Sequence, residues 1–258
     1  MTQMIRPVAG GRKDAVRHQR GFTLIEMSIV LTIIGLIVGG ILKGQELINN
    51  ARIKSLVAQI DNIKSATLTF QDRYGYLPGD YNSATSFGFA AAATNGDGLG
   101  TIGPAAGGPF TTSNVAMNGS EAVMVWPELT AANLLSGYYT PQNAVFLNTT
   151  TATVTQWLPG KLTGTFLWLG TFEDATYPQT PTLAVRLQKE DVSTTASTGL
   201  SVADLSGLDA KYDDGFPFQG SITVINASQP NCASAAATTA NYLAASAAAS
   251  CSALFAVQ

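Results

Sequence analysis

Charge is what this chain has least of: Asp, Glu, Lys and Arg supply 12% of its 258 residues, about half the share usual in soluble domains. Part of it is therefore built for surroundings other than water. Histidine occurs once, as His18, inside a basic N-terminal segment. A chain that loses that segment has no imidazole, which removes Ser-His and Cys-His nucleophilic sites and imidazole metal sites together. Carboxylates remain, but Asp213 and Asp214 show no pattern that separates a catalytic pair from a solvated turn, so an enzyme is not expected. Basic patches are equally scarce beyond position 21. Arg6, Arg12, Lys13, Arg17 and Arg20 all precede Phe22 against the single acid Asp14, so removing residues 1–21 would lower the formal net charge of -3 by a further four. The acidic remainder lacks the electrostatic footprint of a nucleic-acid surface, and no nucleic-acid partner is expected.

What the chain does have is one long apolar run, RGFTLIEMSIVLTIIGLIVGGIL at residues 20–42. At about 1.5 Å per residue, the stretch from Phe22 to Leu42 spans roughly 30 Å as a helix, enough to cross a bilayer. The basic head marks the cytoplasmic side, so residues after Leu42 are expected to be exported. Glu26 sits inside the run at a cost of about 2.5–3.5 kcal/mol for a charge at mid-helix. A secretory signal peptide fits poorly, because the run ends GGILKGQELI rather than in an A-x-A type cleavage site. A plain single-pass anchor explains length and orientation but accounts for Glu26 only as an interfacial charge near a helix N-terminus.

A third reading takes the residues in order. Gly21, Phe22, Thr23, Leu24, Ile25 and Glu26 after a short basic leader resemble the processing site of type IV pilins and the pseudopilins of type II secretion. The resemblance covers residues 20–42. It implies that a membrane-bound prepilin peptidase cuts between Gly21 and Phe22 on the cytoplasmic side and that Phe22 is then N-methylated. It also implies partners: further copies of the chain or related pilins in a helical filament, the inner-membrane assembly machinery, and membrane lipid before assembly. The new terminal amine stays cationic, and Glu26 lies four residues on. In a bundle of such helices the carboxylate can reach a neighbouring chain's N-terminus, where low dielectric strengthens the attraction. An unpaired buried charge is costly, so Glu26 reads as a register pin for assembly.

Four segments follow: residues 1–21 as a cleaved leader, 22–42 as the transmembrane and assembly helix, 43–75 as an amphipathic helical half, and 76–258 as a globular head. Ile53, Leu56, Val57, Ile60, Ile63, Thr67, Phe70 and Tyr74 recur at three- and four-residue steps, predicting one helix from about Phe22 to Tyr74 whose second half packs on the head. Gly75 and LPGD at 77–80 stop it. Many pilins carry proline at the position of Lys43; here Gly35, Gly39, Gly40 and Gly44 are the weak points, each costing about 1 kcal/mol of helix propensity relative to Ala. Residues 82–119 read as a long loop, and SEAVMVWPELTAANLLSGYY at 120–139 as a stretch that contains a helix, with Ser120 as cap, a break around Pro127 and Gly137 as stop. QNAVFL, TVTQWL, GTFLWLG, TLAVRL and GSITVI read as short strands. The fold class expected is therefore α+β: a long N-terminal helix packed on a C-terminal antiparallel sheet, the pilin-like layout.

Cys232 and Cys251 are the only cysteines. In an exported chain they read as a disulfide closing a loop of about 20 residues, worth roughly 3 kcal/mol in the chain-entropy model; the alternative is two unrelated buried thiols. The Ala-rich interior of that loop reads as a short helix pinned at both ends. Asn95 and Asp97 of NGDG, and Asp209, Asp213 and Asp214 of DAKYDDG, gather oxygen ligands near glycines, a set that suits calcium. The competing reading is turn chemistry, since Asp-Gly is above all a turn signal. No other cofactor is expected. Trp126, Trp157, Trp168 and tyrosines 74, 76, 81, 138 and 139 read as core and interface packing.

The function expected is that of a structural subunit of a type IV pilus or pseudopilus. A low-abundance tip subunit, a type II secretion pseudopilin and a monomeric anchored exoprotein are the alternatives.

Overall fold

The computed structural model describes residues 22–86, 88, 95–104, 107–110, 121–137, 158–162, 165–173, 182–189, 200–224, 232–234, 240–243 and 250–257. The chain divides into two compact units, Met1–Asn49 and Asn50–Gln258.

In the first unit the described residues are helical from Leu24 onward. Helix α1 runs Leu24–Tyr74 without interruption, through Gly35, Gly39, Gly40 and Gly44. Its start is fixed locally. The Thr23 amide donates to Glu26 Oε2 at 2.8 Å while the Glu26 amide donates to Thr23 Oγ1 at 3.3 Å, a reciprocal capping box that satisfies two orphan donors at the helix start. Large apolar side chains from Leu24 to Ile48 are open to solvent on every side of this half. Among the described residues it contains the one stretch long and apolar enough to cross a membrane.

In the second unit α1 buries a stripe of Leu56, Ile60, Ile63, Ala66, Thr67 and Phe70, with Ile53, Val57 and Tyr74 partly buried beside it. The three- and four-residue steps give the stripe one face, as an amphipathic helix requires. The helix ends where Gly75 donates back to Gln71 O at 2.8 Å. Pro78 and Gly79 then turn the chain, with Asp80 N reaching Leu77 O at 3.2 Å and Gly79 at φ +92°, the left-handed position that a type II turn gives to glycine.

The sheet has the order β1-β2-β3-β7-β5, with every pair antiparallel: β1 Leu158–Pro159, β2 Thr165–Phe172, β3 Thr182–Lys189, β5 Ile222–Val224 and β7 Ala253–Ala256. β2 and β3 pair over their whole length, from Thr165 opposite Lys189 to Phe172 opposite Thr182. β2 is buried almost without alternation, the pattern of a strand covered on both faces. Its inner residues join the stripe of α1 in one core, and Gln59 ties helix to sheet edge through bonds to Pro159 O and from Lys161 N at 2.9 and 3.0 Å. Trp168 stands across from Arg186, whose guanidinium lies 5.3 Å from the indole centroid. A second, two-stranded sheet pairs β4 Leu200–Ser201 with β6 Ser250–Cys251. The fold is thus α+β, a long N-terminal helix with a C-terminal antiparallel sheet.

Several local expectations need correction. The stretch 120–139 does contain a helix, but a short one: a 3-10 turn, Glu121–Val123, is followed by α2, Val125–Ala131. Pro127 does not break it, because a first-turn residue has no intrahelical N–H bond to lose. The stop is Asn133, at φ +58°, rather than Gly137. The Ala-rich loop is not helical where it is described: Ala233 bridges Tyr242, with Ser234 N to Asn241 O at 2.9 Å and Leu243 N to Cys232 O at 3.0 Å. DAKYDDG, read as ligand or turn chemistry, begins inside helix α3, Val202–Tyr212, which Ser201 caps by accepting from Asp204 N at 3.1 Å. QNAVFL, Ser120, Trp157, Tyr138 and Tyr139 lie outside the described residues, as does TVTQWL apart from Leu158. Trp126, Trp168 and Tyr81 are core residues; Tyr74 and Tyr76 are partly buried.

Candidate functional site

The processing segment is built from Phe22, Thr23 and Glu26; Gly21 lies outside the described residues. Phe22 is 79% exposed immediately ahead of the capped helix start. Glu26 is exposed, and its Oε2 accepts from both the Thr23 amide and the Thr23 hydroxyl, at 2.8 and 2.7 Å. Between positions 22 and 45 the only charged residues are Glu26 and Lys43. While residue 22 is joined to residue 21 its nitrogen is an amide; among the described residues Glu26 has no cation beside it, and its carboxylate serves as a helix cap. The chemistry available is a switch of partner once a terminal ammonium exists.

A second polar site lies in the head, where a loop is folded around acidic side chains. Asp80, Asp97 and Glu121 each bring one carboxylate oxygen to within 4.8 Å of the others. Backbone amides hold them: Gly100 N donates to Asp80 Oδ2 at 2.9 Å, Asp97 N to Glu121 Oε1 at 2.9 Å and Gly103 N to Glu121 Oε2 at 3.0 Å. The loop lies so close that a Cβ on Gly96 would collide with the Asp80 backbone. Its far end is pinned to β2, where Ile102 exchanges bonds with Thr171 at 2.8 and 2.9 Å and Phe110 N donates to Thr171 O at 2.7 Å. Burial raises the pKa of Asp80 and pushes Glu121 to about 7. Glu128, fully buried next along α2, accepts from Gly79 N at 2.7 Å through Oε2, and burial carries it to about 8. Asn95 takes no part: its Oδ1 accepts from Thr85 N and Thr85 Oγ1 at 3.0 and 2.9 Å.

Asp209, Asp213 and Asp214 also converge, at the C-terminal end of α3. Here the protein supplies the donors. Asp209 receives the Tyr242 hydroxyl at 2.7 Å on Oδ2, Asp213 Oδ2 receives Ser221 N and Ile222 N at 2.6 and 2.7 Å, and Asp214 Oδ1 receives Phe216 N at 2.8 Å. Burial raises Asp209 to about 6. This cluster has the geometry of a knot that fastens α3 to the start of β5 and to the segment bearing Tyr242. That segment is bounded by the Cys232–Cys251 disulfide, with both cysteines fully buried.

Several features of these sites escaped the sequence reading, among them the capping role of Thr23 and the parts played by Asp80 and Glu121. Thr23 was legible, since T-x-x-E before an apolar run is the capping-box pattern. Asp80 stood in LPGD, taken only as a helix stop. Glu121 opened a helix-like run and gave no sign that its side chain turns toward NGDG.

Residues 16–42 match the family model described as the prokaryotic N-terminal methylation motif. With its long apolar N-terminal helix and antiparallel head, the chain has the layout of a pilin-like protein, and it carries the type IV pilin and pseudopilin signature. No curated protein and no solved structure matches it. The matched motif is that of a structural protein rather than of an enzyme class.

Proposed function

We propose that the chain is a prepilin: a structural subunit cut after Gly21, N-methylated at Phe22 and polymerised through its apolar N-terminal helix into a type IV pilus or pseudopilus. The motif match at residues 16–42 carries this reading. Residues 1–21 are then a leader held in the cytoplasm by its cations, residues 22–42 the inner-membrane span, residues 43–75 the helical half that serves the head, and residues 76–258 the head outside the inner membrane. The partners are a prepilin peptidase, the inner-membrane assembly machinery and neighbouring subunits of the filament. After cleavage the Phe22 nitrogen becomes a cation, and Glu26, no longer limited to its capping bonds with Thr23, pairs with the terminus of an adjoining subunit.

Mass spectrometry of the N-terminal peptide, taken from native membranes or from a sheared filament fraction, tests the proposal. The expected peptide begins at a methylated Phe22. An intact Met1–Gly21 segment, or a cut near Gly44, overturns it in favour of an ordinary anchor or signal peptide.

A further inference from the structure

We propose that Asn95–Gly96 is a self-modification site that the closed loop keeps silent: once the loop opens, Asn95 deamidates and the head can no longer close as before. The chemistry lies in the pair itself. The Gly96 amide nitrogen attacks Asn95 Cγ, the new C–N bond closes a five-membered succinimide, and the Cγ–Nδ2 bond breaks to release ammonia. Water then opens the ring at either carbonyl, leaving aspartate or isoaspartate at position 95. Water is consumed and ammonia is lost, with no oxidant or enzyme involved. Glycine is the most reactive partner for this step, because it puts no side chain in the way and its backbone reaches the cyclising conformation freely.

The fold blocks the reaction at three points. Asn95 is exposed, so water reaches it. Its carboxamide, however, must swing onto the next nitrogen, and its Oδ1 is held by Thr85 N at 3.0 Å and by Thr85 Oγ1 at 2.9 Å. The nucleophile is engaged as well, since Gly96 N donates at 3.0 Å to the carbonyl of Tyr81, a core residue. All three bonds must part before the ring forms, so the rate follows the fraction of heads in which this loop is open.

The product is what the loop cannot hold. Gly96 lies so tightly on the Asp80 backbone that even a Cβ at position 96 would collide with it. Isoaspartate at 95 routes the main chain through the former side chain and adds a methylene immediately before Gly96. The amides that follow are displaced from their acceptors, Asp97 N from Glu121 Oε1 and Gly100 N from Asp80 Oδ2. A head that is slow to close is thus marked permanently, while a closed one is spared. Processing at the N-terminus plays no part in this.

The test incubates the full chain, purified in detergent, in mildly alkaline buffer with and without urea, and reads residue 95 by peptide mapping and isoaspartyl methylation. Asn118–Gly119 is the other Asn-Gly pair, and its reaction in urea verifies the conditions. Asn95 should deamidate in urea and about tenfold or more slowly in the folded chain, the order that opening three hydrogen bonds implies. Thr85→Ala, an exposed change that removes the hydroxyl donor, should speed the folded reaction about three- to tenfold and leave the urea rate unaltered. After dilution from urea, chains carrying isoaspartate at 95 should refold with a lower Tm than fresh parent. Asn95→Gln, which forms the larger ring far more slowly, should recover after the same ageing. Equal rates with and without urea, or no acceleration in folded Thr85→Ala, overturn the gate. Aged parent that regains its full Tm, or aged Asn95→Gln that loses as much, overturns the consequence for closure.

Discussion

Glu26 and Thr23 cap each other: each side chain accepts from the other's backbone amide, and the Thr23 hydroxyl adds a third bond to Glu26 Oε2. On the proposed function Glu26 would have two separable duties, the cap seen here, which any acceptor can perform, and a charge for assembly that only a carboxylate can supply. Glutamine serves at this capping position nearly as well as glutamate. Glu26→Gln should therefore insert and be processed like the parent, yet yield few or no filaments when the sheared fraction is weighed. Normal filaments from this variant would reduce Glu26 to its capping duty.

Glu128 should make the head lose stability as pH rises. Burial raises its pKa from an ordinary value of 4.5 to about 8, and Asp80 and Glu121 are the charged groups that face it. The native state therefore holds the proton more tightly than the unfolded chain. Its contribution is whole below pH 4.5 and falls away through pH 8, with a slope approaching about 1.4 kcal/mol per pH unit from this one group. Urea unfolding at several pH values should show the decline, and Glu128→Gln should flatten it while raising stability at pH 8. A parallel profile for parent and variant would contradict the assignment.

Tyr242 supports Asp209 across the head. Its hydroxyl bond favours the charged carboxylate, opposing the burial that lifts Asp209 to about 6. Tyr242→Phe leaves Asp209 Oδ2 buried without that donor, at a cost of about 1–3 kcal/mol. The native pKa rises further, so the penalty should be larger at pH 8 than at pH 4. Denaturation of parent and variant at both values measures it; a penalty independent of pH would mean that only packing was lost.

The Cys232–Cys251 bond should resist reductant in the folded chain and yield once urea opens the head, because both sulfurs are buried. Thiol labelling with and without denaturant separates the two states. Replacing both cysteines with serine should lower the unfolding free energy by about 3 kcal/mol, the value for a loop of this length. Rapid labelling without denaturant would show the segment to be open.

The amphipathic half of α1 was legible because Leu56, Ile60, Ile63 and Phe70 follow a period that only a helix satisfies, and β2 and β3 because GTFLWLG and TLAVRL are short, mainly apolar runs separated by turn residues. α3 was missed although Ser201 and Asp204 announce its cap. Gly207 interrupts its pattern, and the acids that close it looked like loop chemistry. β7, ALFA, is too short for periodicity to mark. The acid site was half visible: NGDG pointed to Asp97, but a sequence has no means of bringing Asp80 and Glu121 to it, since that meeting depends on a Pro-Gly turn and on a loop pinned to β2.

The position of β7 sets an order on folding. Ala253–Ala256 lie between β3 and β5, so the two strands that flank them have no hydrogen-bonding partner on those sides until this late segment arrives. A nascent chain therefore carries two raw edges from the completion of β5 at Val224 until Ala253–Ala256 has been made. Anything that shields them, whether a chaperone or a holding surface at the membrane, would decide between a finished head and an aggregate.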